Sequence, residues 1–212
     1  GVQTVLSQIV AEELGISPDR VETRWGDTDL PATGPTYGSS TTMGTGSAVA
    51  AAARDVSKQL AELGLGGRDP LDALDRAGID ELVGEGTFEL PGGSQFNQDG
   101  AGTPYAIRTW GVIFTEVGVD PDFGLLRLRR AVGVYSAGRI VNPVTARAQM
   151  TGGIIWGWGK ATMEESDQEP TRGRWLAKNL SNVAVPVNAD IPASIDVSFT
   201  DEFDETASLI GA

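Results

Sequence analysis

The run Gly38-Ser39-Ser40-Thr41-Thr42-Met43-Gly44-Thr45-Gly46, directly before an alanine-rich stretch, is the first place where residue types and spacing suggest chemistry. Hydroxyls and unpaired backbone amides at a helix N-terminus suit an anion, because free N–H groups and the helix dipole both favour negative charge. Glycines let the backbone come close to a phosphate. The Gly-Lys-Ser/Thr ending of an ATP-binding loop is missing, which argues against a nucleotide triphosphate site. On chemistry alone, a plain Ser/Gly loop at a helix start is the commoner meaning of such a run. A second candidate is Gln149, set in an apolar, glycine-rich helical pattern. There it could donate and accept toward a polar ligand, or face solvent. The carboxylates Glu164, Glu165, Asp167 and Glu169 read as a solvated helix end, and no acid/base role is assigned to them. Arg127, Arg129 and Arg130 on a β-rich run are expected to pair with acids rather than bind a substrate.

Composition narrows the chemistry further. The 212 residues include no cysteine and no histidine. That excludes a disulfide framework, a thiolate-bound iron–sulfur cluster and the usual zinc or Ser-His-Asp sites within this chain. Carboxylates, backbone amides or a large bound cofactor must carry whatever chemistry there is. A net charge of −13, from 16 basic and 29 acidic residues, argues against nucleic acid as a partner. The longest apolar run, near Gly152–Trp158, is too short and glycine-rich for a membrane span. The opening GVQTVLSQIVAEELG lacks the basic start of a signal peptide.

The elements that must position these residues follow from local pattern. An apolar stripe of Val5, Leu6, Ile9, Val10 and Leu14, closed by Gly15, predicts a helix over Thr4–Leu14. Alternation predicts a strand over Arg20–Trp25, then a long loop from Gly26 to Gly46 and a helix from Ser47 to Leu63. Asp69-Pro70 is an N-cap and N1 pair for a short helix through Ala77. Gly84–Leu90 reads as a strand and Pro91–Gly102 as a glycine- and amide-rich loop. Asp120-Pro121-Asp122-Phe123-Gly124 joins two β-rich runs, Arg108–Val119 and Gly124–Val134, as a hairpin. After Asn142-Pro143 a helical pattern runs to about Glu165, interrupted by Gly152, Gly153, Gly157 and Gly159. Glycine costs about 1 kcal/mol per helix-interior position, so this many imply that another backbone or a ligand packs close. Ile195–Phe199 alternates as a last strand before an acidic tail. Strands and helices mix without a βαβ rhythm, so the expected class is α+β. The expected organisation is one partial domain over 1–212, divisible near residues 85 and 86, with both ends reading as cuts through a larger protein.

Three stretches together resemble the molybdenum-cofactor-binding large subunits of the xanthine dehydrogenase/aldehyde oxidase family. They are Asp27-Thr28-Asp29-Leu30-Pro31 followed by GSSTTMGTGSAV, GRIVNPVTARAQMTGGIIWGWGKATMEE from Gly138 to Glu165, and RWLAKNLSNVAVPVNADIP from Arg174 to Pro192. The likeness spans nearly the whole chain in order and is nearest the bacterial three-subunit aldehyde oxidoreductase type. The resemblance implies part of an α+β molybdopterin-binding domain. It matches Gly1 to the last glycine of a Gly-x-Gly cofactor loop, and Thr41, Thr42, Met43, Gly44, Thr45 and Gly46 to the loop around the phosphate end of the pterin. Gln149 matches a glutamine that hydrogen-bonds the cofactor. Where relatives often carry Ala-Ala-Ser-Val, this chain has Thr42-Met43-Gly44-Thr45, which bears on side-chain contacts more than on backbone ones.

The resemblance further implies a molybdenum-bearing molybdopterin, plain or as its cytosine dinucleotide. Iron–sulfur and FAD centres would sit on partner subunits or domains. The implied reaction hydroxylates an aldehyde or N-heterocycle with oxygen from water. The family's basic glutamate lies in a Gly-Ala-Lys/Arg-Gly-x-Gly-Glu segment, placed by the resemblance beyond Ala212. No catalytic residue and no protein ligand to the metal is therefore expected within residues 1–212, and the piece alone is expected to be inactive. The parent is expected in the cytoplasm, or in the periplasm by export with a partner subunit, with a homodimer as one assembly. The competing class is a non-catalytic scaffold in which the Ser/Thr/Gly run is only a turn.

Overall fold

In the computed structural model, which describes residues 1–34, 36, 38–89, 109–202, 208 and 210–211, helix α1 spans Val2–Leu14. Its buried Val5, Leu6 and Ile9 form one stripe, and Gly15 ends it in the left-handed region at φ 68°. Helix α2 spans Thr41–Glu62 and packs on α1. It begins six residues before the sequence-predicted start, so the Thr41–Gly46 run is helix rather than loop. Gly44 and Gly46 weaken intrinsic helix propensity there, but Met43 and Gly46 are buried, and that tertiary packing overrides propensity. The core of this unit joins Val5, Leu6, Ile9, Ala50 and Ile210, with half-buried Trp25, Val49 and Val141 around it.

The residues expected as a strand at 20–25 are a short 3-10 turn, Pro18–Arg20, followed by extended chain with no ladder partner among the described residues. The Thr23 hydroxyl instead meets the Ser7 hydroxyl of α1 at 2.7 Å. The stretch before Leu90 is likewise extended but unladdered. Side chains of α2 hold it: Gln59 Nε2 donates to the Val83 carbonyl at 2.8 Å, and Asp55 accepts from the Glu85 N–H at 3.3 Å. Gly84 and Gly86 lie directly on the α2 backbone. Helix α3, Pro70–Ala77, has the caps that its sequence predicts: Asp69 accepts from the Leu71 and Asp72 amides, and Gly78 is left-handed. The expected loop Pro91–Gly102 and the tail from residue 203 to 207 lie outside the described residues.

These helices belong to one compact unit, made of Gly1–Thr109, Ala137–Asn142 and Asp201–Ala212. A second unit, Trp110–Ser136 with Pro143–Thr200, holds the main sheet. Strands β1 (Trp110–Asp120) and β2 (Leu125–Ser136) form the expected antiparallel hairpin. Asp120 Oδ1 accepts from the Asp122 and Phe123 amides at 3.0 and 3.2 Å, and Gly124 takes φ 66°. Helix α4, Pro143–Thr162, supplies the crossover that a parallel pairing requires, and β5 (Ser194–Phe199) then pairs parallel with β2. Two short strands, β3 (Gln168–Glu169) and β4 (Arg174–Trp175), pair separately. The result is mixed α+β.

A register shift sets the packing of β2. Glu116 pairs with Arg130 and Val117 with Leu128, leaving Arg129 as an extra residue. This bulge lets Leu128 and Ala131, three apart rather than two, both be buried. Ala131, Ile154 of α4 and Val197 of β5 form the core of this unit, flanked by Tyr135, Met150, Ile195 and Phe199. Tyr135 lays its ring over Gly111 and Gly133, where an added Cβ would come within 2.6 and 2.7 Å of ring atoms. On the opposite sheet face Arg130 pairs with Asp196 at 2.9 Å, as expected for an arginine of this group.

That pair gives a pH prediction. The Arg130 guanidinium, helped by the Ser194 hydroxyl, holds the Asp196 carboxyl below its usual range. A carboxyl with a depressed folded value stabilises the fold above its unfolded pKa of about 3.9. This contribution is lost as pH falls through the lowered folded value. Urea midpoints of Asp196→Asn should therefore lie slightly below those of the parent at neutral pH and converge with them in acid. A gap that persists unchanged in acid would contradict the assignment.

Candidate functional site

The Thr41–Gly46 run occupies the first turn and a half of α2. The amides of Thr41, Thr42 and Met43 have no carbonyl four residues back within the helix, as at any helix N-terminus. From Gly44 onward the ladder is closed: the Gly44 N–H donates to the Ser40 carbonyl at 2.8 Å. Available backbone donors are therefore confined to the first three helical residues. Thr41, Thr42 and Thr45 are half-buried, whereas the Met43 side chain and Gly46 face the core. An added Cβ on Gly46 would stand 2.9 Å from Ile9 Cδ1 and 3.2 Å from Ile210 Cδ1. Gly46 is thus packed closely between the two isoleucines. Gly1 is the N-cap of α1 in the same unit, and its carbonyl accepts from the Val5 N–H at 3.1 Å.

The entry to α2 has a feature that sequence reasoning missed. Ser39 takes φ 59°, the one non-glycine positive φ among the described residues, after Gly38 at the same value. Such a backbone costs energy for a residue with a Cβ and tends to collect at functional sites. Ser40, at the N-cap, makes no side-chain cap bond. Asp69 of α3 shows the contrast, accepting two first-turn amides. Directly after the run, Ser47 is wholly buried and its Oγ finds no partner among the described residues.

Gln149 lies on α4 in the second unit and is exposed. Exposed glycines follow it on the same helix: an added Cβ on Gly152, Gly153 or Gly157 would meet nothing within 4 Å, whereas on Gly159 it would meet Pro186 at 2.5 Å. Of the four helix glycines only Gly159 has a close neighbour, and it is a proline ring rather than the backbone or ligand that the sequence implied. The carboxylates Glu164, Glu165 and Asp167 are exposed, in keeping with a solvated helix end. Among the described residues no cluster of three acidic or other metal-ligating side chains could hold a metal ion. No helix there is long and apolar enough to cross a membrane.

Residues 1–192 match the family of the molybdopterin cofactor-binding domain. The chain belongs to that family, whose members form part of xanthine dehydrogenase/aldehyde oxidase type large subunits. Among its relatives is the molybdenum-binding subunit PaoC of an aldehyde oxidoreductase of Escherichia coli (strain K12), 31% identical over the whole of this chain and 30% of its own length. Another is subunit gamma of the 6-hydroxypseudooxynicotine dehydrogenase complex of Paenarthrobacter nicotinovorans, 27% identical over all of this chain and 29% of that one. The fold matches quinoline 2-oxidoreductase from Pseudomonas putida 86 with a TM-score of 0.78 at 19% identity, covering 99% of this chain and 29% of that one. A Cu,Mo-CO dehydrogenase structure matches equally well, with a TM-score of 0.78 at 21% identity, covering 99% of this chain and 28% of its own. The chain thus spans under a third of these relatives.

Proposed function

We propose that this chain is part of the cofactor-binding region of a molybdenum hydroxylase that oxidises aldehydes or N-heterocycles with oxygen from water. The observation that carries the reading is the N-terminus of α2, entered through a positive-φ serine, in a chain of this family. Its first-turn amides, at the positive end of a 22-residue helix, suit a phosphate, and the Thr41 and Thr42 hydroxyls would add donors beside them. Met43 and Gly46, which face the core, would shape the turn from behind, while Gly44 and the half-buried Thr45 would complete it around the ligand. Gly1 would close the glycine turn preceding α1. Gln149, exposed on α4, would donate to and accept from the polar edge of a pterin.

When bound, the molybdenum centre supplies the two-electron oxidation. Residues 1–212 would bind and orient, and the family's basic glutamate would be supplied from elsewhere in the subunit. Partner subunits or domains bearing iron–sulfur and FAD centres would take the electrons onward. The names of two relatives, each a subunit of a larger enzyme, support that assembly.

The test is elemental mass spectrometry for molybdenum and phosphorus on the full subunit, co-expressed with its partners. Thr41→Val with Thr42→Val, and separately Gln149→Leu, should each lower molybdenum occupancy at least tenfold while the subunit stays folded. The phosphorus-to-molybdenum ratio separates the plain pterin from its dinucleotide. Full metal loading in both variants would defeat these assignments.

A further inference from the structure

We propose that the main sheet does not end at β1, and that β1's free edge and open face are covered by an apolar β-strand from the same subunit, lying outside residues 1–212. The inference rests on the reading that this chain is part of a larger subunit, but its evidence is the strand itself.

Among the described residues, the sheet order is β1-β2-β5, so β1 is an edge. Its sequence, WGVIFTEVGVD, is that of a buried strand. Edge strands are normally short, charged or interrupted by proline. This one has eleven residues, no lysine and no proline, and Glu116 is its only charge before the closing Asp120. Register and pleat sort its side chains. Trp110, Val112 and Phe114 lie on the face away from α4, beside Val132 and Val134 of β2. Trp110 is 70% exposed and Phe114 69%. Ile113, Val117 and Val119 on the other face are also exposed. A half-solvated antiparallel strand alternates apolar and polar residues, whereas a strand covered on both faces is apolar throughout. β1 is of the second kind.

The opposite edge shows what a solvated one looks like in this same sheet. β5 carries Ser194, Asp196 and Ser198 on the open face, in register with Arg130, Val132 and Val134. The apolar ground is therefore confined to β1 and the adjoining β2 positions, and the cover belongs there. A second copy of the chain fits poorly. Antiparallel self-pairing about Thr115 would set Phe114 opposite Glu116, and edge pairing would leave the open face bare. The relatives supply a fitting source: about 70% of their length lies outside the region that this chain matches.

The experiment places p-benzoylphenylalanine at position 114 of the full subunit, purified with its partners, and maps the photo-crosslink by mass spectrometry. The expected product joins position 114 to a peptide of the same polypeptide outside residues 1–212. A crosslink to residues 90–108, to a second copy or to another subunit would overturn the proposal, as would none. Hydrogen exchange on the unsubstituted subunit gives an independent reading: amides of 110–120 should be protected throughout, like those of β2. Rapid exchange at alternate β1 positions, the pattern of a solvent-facing edge, would overturn it too. Molybdenum content, measured on the same sample, reports separately on the functional reading.

Discussion

Gly86→Ala should destabilise the helical unit by at least the upper end of the about 1–3 kcal/mol usual for overpacking. The new methyl would stand 2.2 Å from the Ala48 carbonyl oxygen, 2.3 Å from the Ala52 nitrogen and 3.0 Å from the Ala51 carbonyl carbon. All three are α2 backbone, so no side chain can rotate away. Either the extended stretch lifts off the helix, losing the Gln59 and Asp55 bonds to its backbone, or α2 bends. Gly84→Ala meets the Ala52 oxygen at 2.4 Å and should behave alike. Gly152→Ala is the control: open space surrounds it on α4, and glycine-to-alanine in a helix interior should gain up to about 1 kcal/mol. Urea titrations followed by fluorescence suit the comparison once the units are read separately. Trp25 reports on this unit when Trp110, Trp156, Trp158 and Trp175 are replaced by Phe, and those four report on the α4 unit when Trp25 is. An unchanged midpoint for Gly86→Ala would mean that the stretch does not lie where the structure puts it.

The second large effect is a coupling. Ile9→Ala should cost about 2–5 kcal/mol, as truncation of a buried isoleucine does, since Ile9 is 4% exposed at the centre of its cluster. Gly46→Ala alone should also destabilise, because its Cβ comes within 2.9 Å of Ile9 Cδ1. In the double variant that Cδ1 is gone and the alanine fills part of the space. The two losses should then fall short of their sum by about 0.5–3 kcal/mol. Strict additivity would show that the two side chains do not meet. The cycle matters for function as well, since a substitution at Gly46 that abolished cofactor binding would report on this packing rather than on ligand contact.

Local signals carried much of the fold. Gly15, the Asp69-Pro70 pair with Gly78, and Asp120 with Gly124 act through hydrogen bonds and φ angles set within a few residues, so the chain order alone identifies them. The start of α2 was not legible. Three threonines and two glycines between Thr41 and Gly46 argue against helix by propensity, and what overrides them, Ile9 and Ile210 closing on Gly46, lies far off in sequence. The patterns at Arg20–Trp25 and Gly84–Leu90 predict strands because periodicity reports an extended chain, not whether a ladder partner exists. In both, helix side chains take the partner's place. As for the site, the Thr/Gly run and Gln149 drew notice by residue type and by resemblance. The serine with positive φ had no signal, because nothing in its side chain favours that conformation.

Ile210 is 4% exposed within the α1–α2 cluster, and the carbonyl of Gly211 accepts from the Arg139 N–H at 2.7 Å. During synthesis this ordering has a cost. The core of the α1–α2 pair stays open on one side until Ile210 emerges from the ribosome, about 150 residues after the end of α2. At about 5–20 residues per second that is a delay of roughly 7 to 30 seconds. Through that interval Ile9 and its neighbours stand exposed in the nascent chain, so the α1–α2 unit should engage chaperones and complete its folding only after its last segment has been made.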